Sequence, residues 1–197
     1  MLNVPIKIAV FVSGTGTNAI QLVNHFSKHK NIQVALLVTN KSTSGALQIA
    51  EYNQLPCLLI TNEELNSSSN LLSILRDDEI DFLVLAGFLR KIPDEVIEKY
   101  QDKIINIHPS LLPNHGGKGM YGRRVHDAVK KNKDEKTGIT IHLVDEKYDN
   151  GKILFQKEIK LNGSESVTDI ENEIRKLEHK YFPKIVEDYV SKFVFNE

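Results

Sequence analysis

Short apolar runs that stop at glycine, serine or proline turns, each followed by residues at helical spacing, constrain this chain more than any other feature. Ile6–Val12 is one such run and stops at Ser13-Gly14. Ile32–Val38 and Pro56–Ile60 repeat it, and Asp81–Ala86 stops at Gly87. Runs without polar alternation read as strands covered on both faces. Between them, helical spacing covers about Ala19–His29 behind a capping Asn18, a stretch through Leu47, Ile49 and Ala50, another at Leu71–Arg76, and one opened by Pro93 that reaches Tyr100. Strand and helix in alternation predict an α/β fold: a doubly wound, mainly parallel sheet with helices on both faces.

The pattern changes after a helix at Tyr121–Lys131. Gly138–Val144 alternates Ile139, Ile141 and Leu143 with Thr140 and His142, which predicts a half-exposed strand. Ile153–Leu161 reads as its antiparallel partner, and Val167–Val190 as a long closing helix interrupted or bent near Pro183. Thr61–Asn70 is polar and of low complexity, and predicts a mobile surface loop; Asn114–Gly119 predicts a flexible glycine-rich one. There is no internal repeat and no linker, so residues 1–197 are expected to form a single domain.

Folds of this kind bind ligands outside the carboxyl ends of their strands, at the point where strand order reverses. Three segments fall there: Ser13–Asn18, Gly87–Ile92 and His108–Pro113. The third ends the run Ile104–Pro113 (I-I-N-I-H-P-S-L-L-P), in which Asn106 and His108 project from one face of a strand. An amide donor beside a titratable donor suits an oxyanion forming on a carbonyl. Ser13–Asn18 (S-G-T-G-T-N) offers backbone N–H groups and hydroxyls at a positive helix end, which suits a phosphate. Gly14-x-Gly16-x-x-Ala19 also satisfies the dinucleotide fingerprint, but Val38-Thr39-Asn40 stands where a ribose-binding acid would be required, so phosphate is favoured over NAD. A plain turn is the structural alternative.

Asp149-Asn150-Gly151 reads first as a tight turn. A carboxylate there would also orient His108 and raise its pKa, keeping it protonated; Asp145 and Glu146 compete for that role. His25 and His29, four apart on a helix, lack a third metal ligand and read as a solvated face. His142 reads as a supporting or half-buried strand residue, and His115, His126 and His179 as surface or pocket-rim residues. Cys57, the only cysteine, sits in an apolar run and reads as core packing, with no disulfide and no thiolate metal site.

Composition narrows the class. A formal net charge of −1 provides no basic field for nucleic acid, and no stretch approaches a membrane span. No secretory leader pattern precedes the first strand, so a cytoplasmic protein is expected. The first fifty residues hold Lys7, Lys28, Lys30 and Lys41 but no acid, in keeping with an anion-binding half.

With these residues the chain resembles the phosphoribosylglycinamide formyltransferases, folate-dependent enzymes of purine synthesis. The resemblance covers nearly the whole chain. It rests on S-G-T-G-T-N at 13–18, L-A-G-F-L-R at 85–90, I-N-I-H-P-S-L-L-P at 105–113, the D-x-G at 149–151 and L-E-H at 177–179. It implies a Rossmann-like formyltransferase fold with antiparallel C-terminal strands and a long C-terminal helix. It also implies formyl transfer from 10-formyltetrahydrofolate, as co-substrate and without a metal, to the amine of glycinamide ribonucleotide. By the same resemblance Asn106, His108 and Asp149 match the catalytic trio, and Gly16, Thr17 and Asn18 the phosphate loop. Arg175 and Glu178 approach the ribonucleotide, while Leu89, Arg90, Lys91, Ile92, Asn106 and Asp145 line the folate pocket. Small-molecule partners are implied, with no nucleic acid or membrane, and a monomer or weak homodimer. The family often carries an Arg towards the folate tail in the region of 61–70, where this chain has none.

Formyltetrahydrofolate hydrolases share the Asn-x-His and Asp core but resemble a longer chain with an N-terminal regulatory domain. Methionyl-tRNA formyltransferases would need a C-terminal barrel and a more basic surface. A nucleotide-binding module without chemistry leaves Asn106, His108 and Asp149 unexplained.

Overall fold

The computed structural model describes residues 4–194. Seven strands form one sheet: β1 (Ile6–Val12), β2 (Ile32–Thr39), β3 (Cys57–Leu59), β4 (Phe82–Leu85), β5 (Ile104–His108), β6 (Lys136–Leu143) and β7 (Ile153–Lys160), in the order β3-β2-β1-β4-β5-β6-β7. The first five are parallel; β5–β6 and β6–β7 are antiparallel. Strand order therefore reverses between β1 and β4, and the carboxyl ends of these two strands and of β5 open at the same edge.

Helices α1 (Thr17–Phe26), α2 (Gly45–Asn53), α6 (Arg123–Asn132) and α7 (Val167–Val194) bury Leu22, Ala50, Val129 and Phe182 on one face of the sheet. On the other face α3 (Asn62–Ser67), α4 (Ser69–Asp77) and α5 (Asp94–Lys99) bury Leu65, Leu71 and Val96. The parallel strands are buried on both sides, which is why they read as unbroken apolar runs.

Several local expectations are corrected. Helix α1 begins at Thr17, and its cap is Gly16 in the left-handed region (φ 79°), so Asn18 lies inside the first turn. The expected loop at 61–70 holds α3 and the start of α4. Thr61 and Glu64 close a capping box there, each side chain accepting from the other's backbone N–H, which is worth about 1 kcal/mol. Strand β6 is not half-exposed: Thr140 and His142 are fully buried, the first under the segment 110–114 and the second beside Asn106 and Asp149. Solvent instead meets β7, the edge strand. Helix α7 continues through Pro183 as one helix of 28 residues. An interior proline disfavours a helix by ~3 kcal/mol, and complete burial of the neighbouring Phe182 and Val186, about 1.5–3 kcal/mol each, outweighs it.

His25 is exposed, as expected, and His29 half-buried; both reach Glu187 on α7, at 2.6 and 3.4 Å, and link α1 and the turn after it to the closing helix. Cys57 packs half-buried against the core, and burial pushes its thiol pKa up, away from nucleophilic use. No helix among the described residues is long and apolar enough to cross a membrane.

Candidate active site

One cavity of about 570 Å³ opens at the carboxyl edge of β1, β4 and β5. Gly16, Thr17 and Asn18 line it from the β1–α1 turn, Leu89–Ile92 from the loop after β4, Asn106 and His108 from β5, Asp145 and Asp149 from the β6–β7 connection, and Arg175 and Glu178 from α7. Every site residue read from the sequence thus faces a single space. The turns around it are tightly determined. Ser13 Oγ donates to Asn40 Oδ1 at 2.7 Å and accepts from Leu89 N–H at 2.9 Å, tying the β1–α1 turn to the loop after β4. A Cβ at Gly45 would stand 2.0 Å from the Thr15 carbonyl oxygen, so only glycine lets α2 support that turn.

Asn106 lies opposite His142 across the antiparallel β5–β6 pair. His142 Nδ1 sits 2.7 Å from the Leu143 carbonyl and must carry a proton there, so its Nε2 accepts from Asn106 Nδ2–H at 3.1 Å. The amide keeps its second N–H for the cavity. Burial pushes the pKa of His142 down, which keeps that acceptor neutral.

His108 is buried, and its Nε2 meets the His115 carbonyl at 2.8 Å. Its Nδ1 lies 3.5 Å from Asp149 Oδ2, longer than a hydrogen bond. That same oxygen accepts from Gly117 N–H at 2.8 Å, and Asp149 Oδ1 stands 3.8 Å from His142 Nε2. Burial pushes the imidazole pKa down, while Asp149 and the His115 carbonyl push it up. The His115 carbonyl can only accept, so His108 Nε2 carries a proton. Asp145 does not compete for His108; it accepts from Lys147 N–H and Asn150 Nδ2 and shapes the loop that carries Asp149.

Asn18 Nδ2 donates to Glu178 Oε2 at 2.9 Å, joining the start of α1 to α7, while Asn18 Oδ1 is buried without a partner. Burial pushes the Glu178 carboxyl pKa up, and its bond from Asn18 and the neighbouring Arg175 only partly offset this. Arg175 itself donates to Glu171 at 2.7 Å. His126, expected at the rim, is 3 % exposed; it lines the cavity with Nδ1 unpartnered, and burial pushes its pKa down. His179 Nε2 is also buried without a partner, and His115 pairs with Asp134. Among the described residues no group of three His, Cys, Asp or Glu could hold a metal ion.

Sequence reasoning missed His126 and two backbone groups. His126 carried the signal of a buried helix neighbour, Val129, three residues on. His142, expected as a supporting strand residue, is one, and strand register gives it Asn106 as its partner. The His115 carbonyl and Gly117 N–H are backbone groups, for which no side-chain signal exists.

A doubly wound α/β sheet with its cavity at the switch point, an open helix N-terminus on one wall and an amide, an imidazole and a carboxylate gathered on another, defines an α/β protein with a ligand site at its strand ends. More narrowly, the chain belongs to the formyl transferase family, whose pattern it matches over residues 6–186. It is 40 % identical over 187 residues to a chloroplastic phosphoribosylglycinamide formyltransferase of Vigna unguiculata, covering 92 % of this chain and 60 % of that protein. It thus spans less than two thirds of the plant relative's length. It is 35 % identical over 185 residues to the phosphoribosylglycinamide formyltransferase of Bacillus subtilis (strain 168), covering 91 % of this chain and 92 % of that one. The crystal structure of the phosphoribosylglycinamide formyltransferase from Bacillus halodurans superposes with a TM-score of 0.85 at 28 % identity, covering 95 % of this chain and 96 % of that one.

Proposed function

We propose that this chain transfers the formyl group of 10-formyltetrahydrofolate to the amine of glycinamide ribonucleotide, giving formylglycinamide ribonucleotide and tetrahydrofolate, a step of purine biosynthesis. The observation that carries the reading is the single cavity shared by Asn106, His108 and Asp149 with the Gly16–Asn18 helix start. One wall is chemically fitted to a phosphate and the other to a carbonyl under attack. Family membership and the names of the relatives support the same reaction.

In this mechanism the substrate phosphate rests on the first turn of α1, and Glu178, held by Asn18, accepts from a ribose hydroxyl. The pterin lies along Leu89–Ile92 and the loop of Asp145. The neutral amine attacks the formyl carbon, a C–N bond forms, and the carbonyl electron pair moves to oxygen. The free N–H of Asn106 meets that oxyanion. Protonated His108, its charge stabilised by the adjacent Asp149 carboxylate, meets the same oxyanion, and the proton shed by the amine passes through water with the help of Asp149. Collapse of the intermediate breaks the bond to the folate nitrogen, which leaves with that proton.

Incubation with 10-formyltetrahydrofolate, with and without glycinamide ribonucleotide, tests this directly. Loss of the formyl group that needs the amine and yields formylglycinamide ribonucleotide is expected. Equal loss without the amine would replace transfer by hydrolysis, and no loss would leave a binding protein.

A further inference from the structure

His126 is a buried titratable ring for which the mechanism above has no use. It stands on α6 with 3 % of its surface exposed, and it lines the cavity. Its Nδ1 is enclosed without a partner, and neither ring nitrogen makes a hydrogen bond to a described residue. The carboxylates near it are turned elsewhere. Glu171, whose charge reaches the ring, is held by Arg175 at 2.7 Å and faces Arg123 at 3.9 Å. Asp127, next along the helix, faces Arg123 at 4.0 Å. The great majority of polar groups in protein interiors are paired, because an unmade hydrogen bond there costs stability that water would otherwise return. For the fold alone an apolar side chain of similar size would serve at least as well. An unpaired imidazole that borders the ligand space is suited to meeting the ligand.

The place of the ring along the cavity selects the part of the ligand it meets. Glu171, Ile174, Arg175 and Glu178 line one wall from α7. Glu178 is tied to Asn18 in the first turn of α1, at the phosphate end. Glu171 stands two helical turns before Glu178, about 10 Å along the axis. His126 lies at that end, where the charges of Glu171 and His108 both act on it. A ribonucleotide with its phosphate on the turn before α1 and its ribose at Glu178 brings its next group, the amide between ribose and amine, to the wall that holds His126. An amide presents an N–H and a carbonyl oxygen, and a ring that burial keeps neutral can meet either one. We propose that His126 is a specificity-determining residue, which hydrogen-bonds the amide of glycinamide ribonucleotide and so distinguishes this substrate from other phosphorylated riboses. A ligand without the amide leaves the buried ring unpaired and gains nothing from it. The inference rests on the formyl-transfer reading above and adds to it a residue of α6.

Two ligands separate the amide from the rest of the molecule. Glycinamide ribonucleotide carries it and ribose 5-phosphate does not, so calorimetric titration of the whole protein with each reads the contact. In His126→Leu the Kd for glycinamide ribonucleotide should rise about tenfold, as for the loss of one buried hydrogen bond, while the Kd for ribose 5-phosphate stays within about twofold of wild type. His126→Phe, which keeps a planar ring without the nitrogens, should show the same split, so the result does not depend on one variant folding. KM for the ribonucleotide should follow its Kd, with KM for the folate unchanged. An equal loss for both ligands in a folded variant moves the contact off the amide and overturns the assignment, as does an unchanged Kd for the ribonucleotide. A wild type that binds glycinamide ribonucleotide but transfers no formyl group to it overturns the reading of the reaction, and the split between the two ligands still decides the role of His126. A wild type that does not bind glycinamide ribonucleotide overturns both.

Discussion

His108 Nδ1 stands 3.5 Å from Asp149 Oδ2, and Gly117 N–H occupies that oxygen at 2.8 Å. The carboxylate is near enough to stabilise a positive charge on the ring, and the backbone fixes the oxygen that does so.

His108→Ala and Asp149→Asn are each expected to lower kcat by on the order of a hundredfold or more, with little change in melting temperature. Asn suits position 149 because the native φ is 53°, a region Asn tolerates. Steady-state kinetics beside a thermal melt decide it; near-normal turnover in a folded variant would remove the residue from the mechanism.

Glu178→Gln removes a buried charge but leaves an oxygen to accept from Asn18. The pKa of Glu178 is raised by burial, so its carboxylate is disfavoured in the fold, and that part of stability is full below the unfolded pKa and lost as pH rises through the folded one. The variant should therefore be at least as stable as wild type at pH 8. Loss of a charged hydrogen bond to the ribose should raise KM for the ribonucleotide about tenfold. Unchanged KM would place the ribose elsewhere.

His126 and His142 have pKa values pushed down by burial. The unfolded chain then binds more protons than the native one, so their contribution is full above the unfolded histidine pKa and is lost as pH falls from there through the folded values. Glu178 works in the opposite sense, so one variant isolates the effect better than the whole curve. In His126→Leu the urea midpoint should drop less between pH 7.5 and pH 5.5 than in wild type. An identical drop would show that His126 takes up its proton equally in both states.

Gly45→Ala would set a Cβ 2.0 Å from the Thr15 carbonyl oxygen, a backbone atom that must shift. A loss of roughly 1–3 kcal/mol in stability is expected, together with a raised KM for the ribonucleotide, because the displaced turn is the one that starts α1. Folate KM should stay as it was. A variant with wild-type stability would mean that α2 moves and the turn does not.

Residue order alone carried the parallel part of the sheet, since a strand buried on both faces must be apolar throughout, and it placed Ser13–Asn18, Gly87–Ile92 and His108–Pro113 behind strands that open at one edge. It also named Asp149, by a motif and not by any local rule. Three things were decided only by packing. Thr140 and His142 alternate with apolar residues as a half-exposed strand would, yet the 110–114 segment covers Thr140, and Asn106 and Asp149 stand beside His142, because alternation records side-chain polarity and not what covers a face. The N-terminal turn of α1 is capped by Gly16 and not Asn18, since Asn18 finds Glu178, 160 residues later, a partner no local window contains. The protonation of His108 depends on its burial, on the distance to Asp149 and on a backbone carbonyl at His115. Periodicity and turn chemistry are local and can be read from neighbours along the chain; register, burial and the reach of backbone groups exist only once distant segments have met.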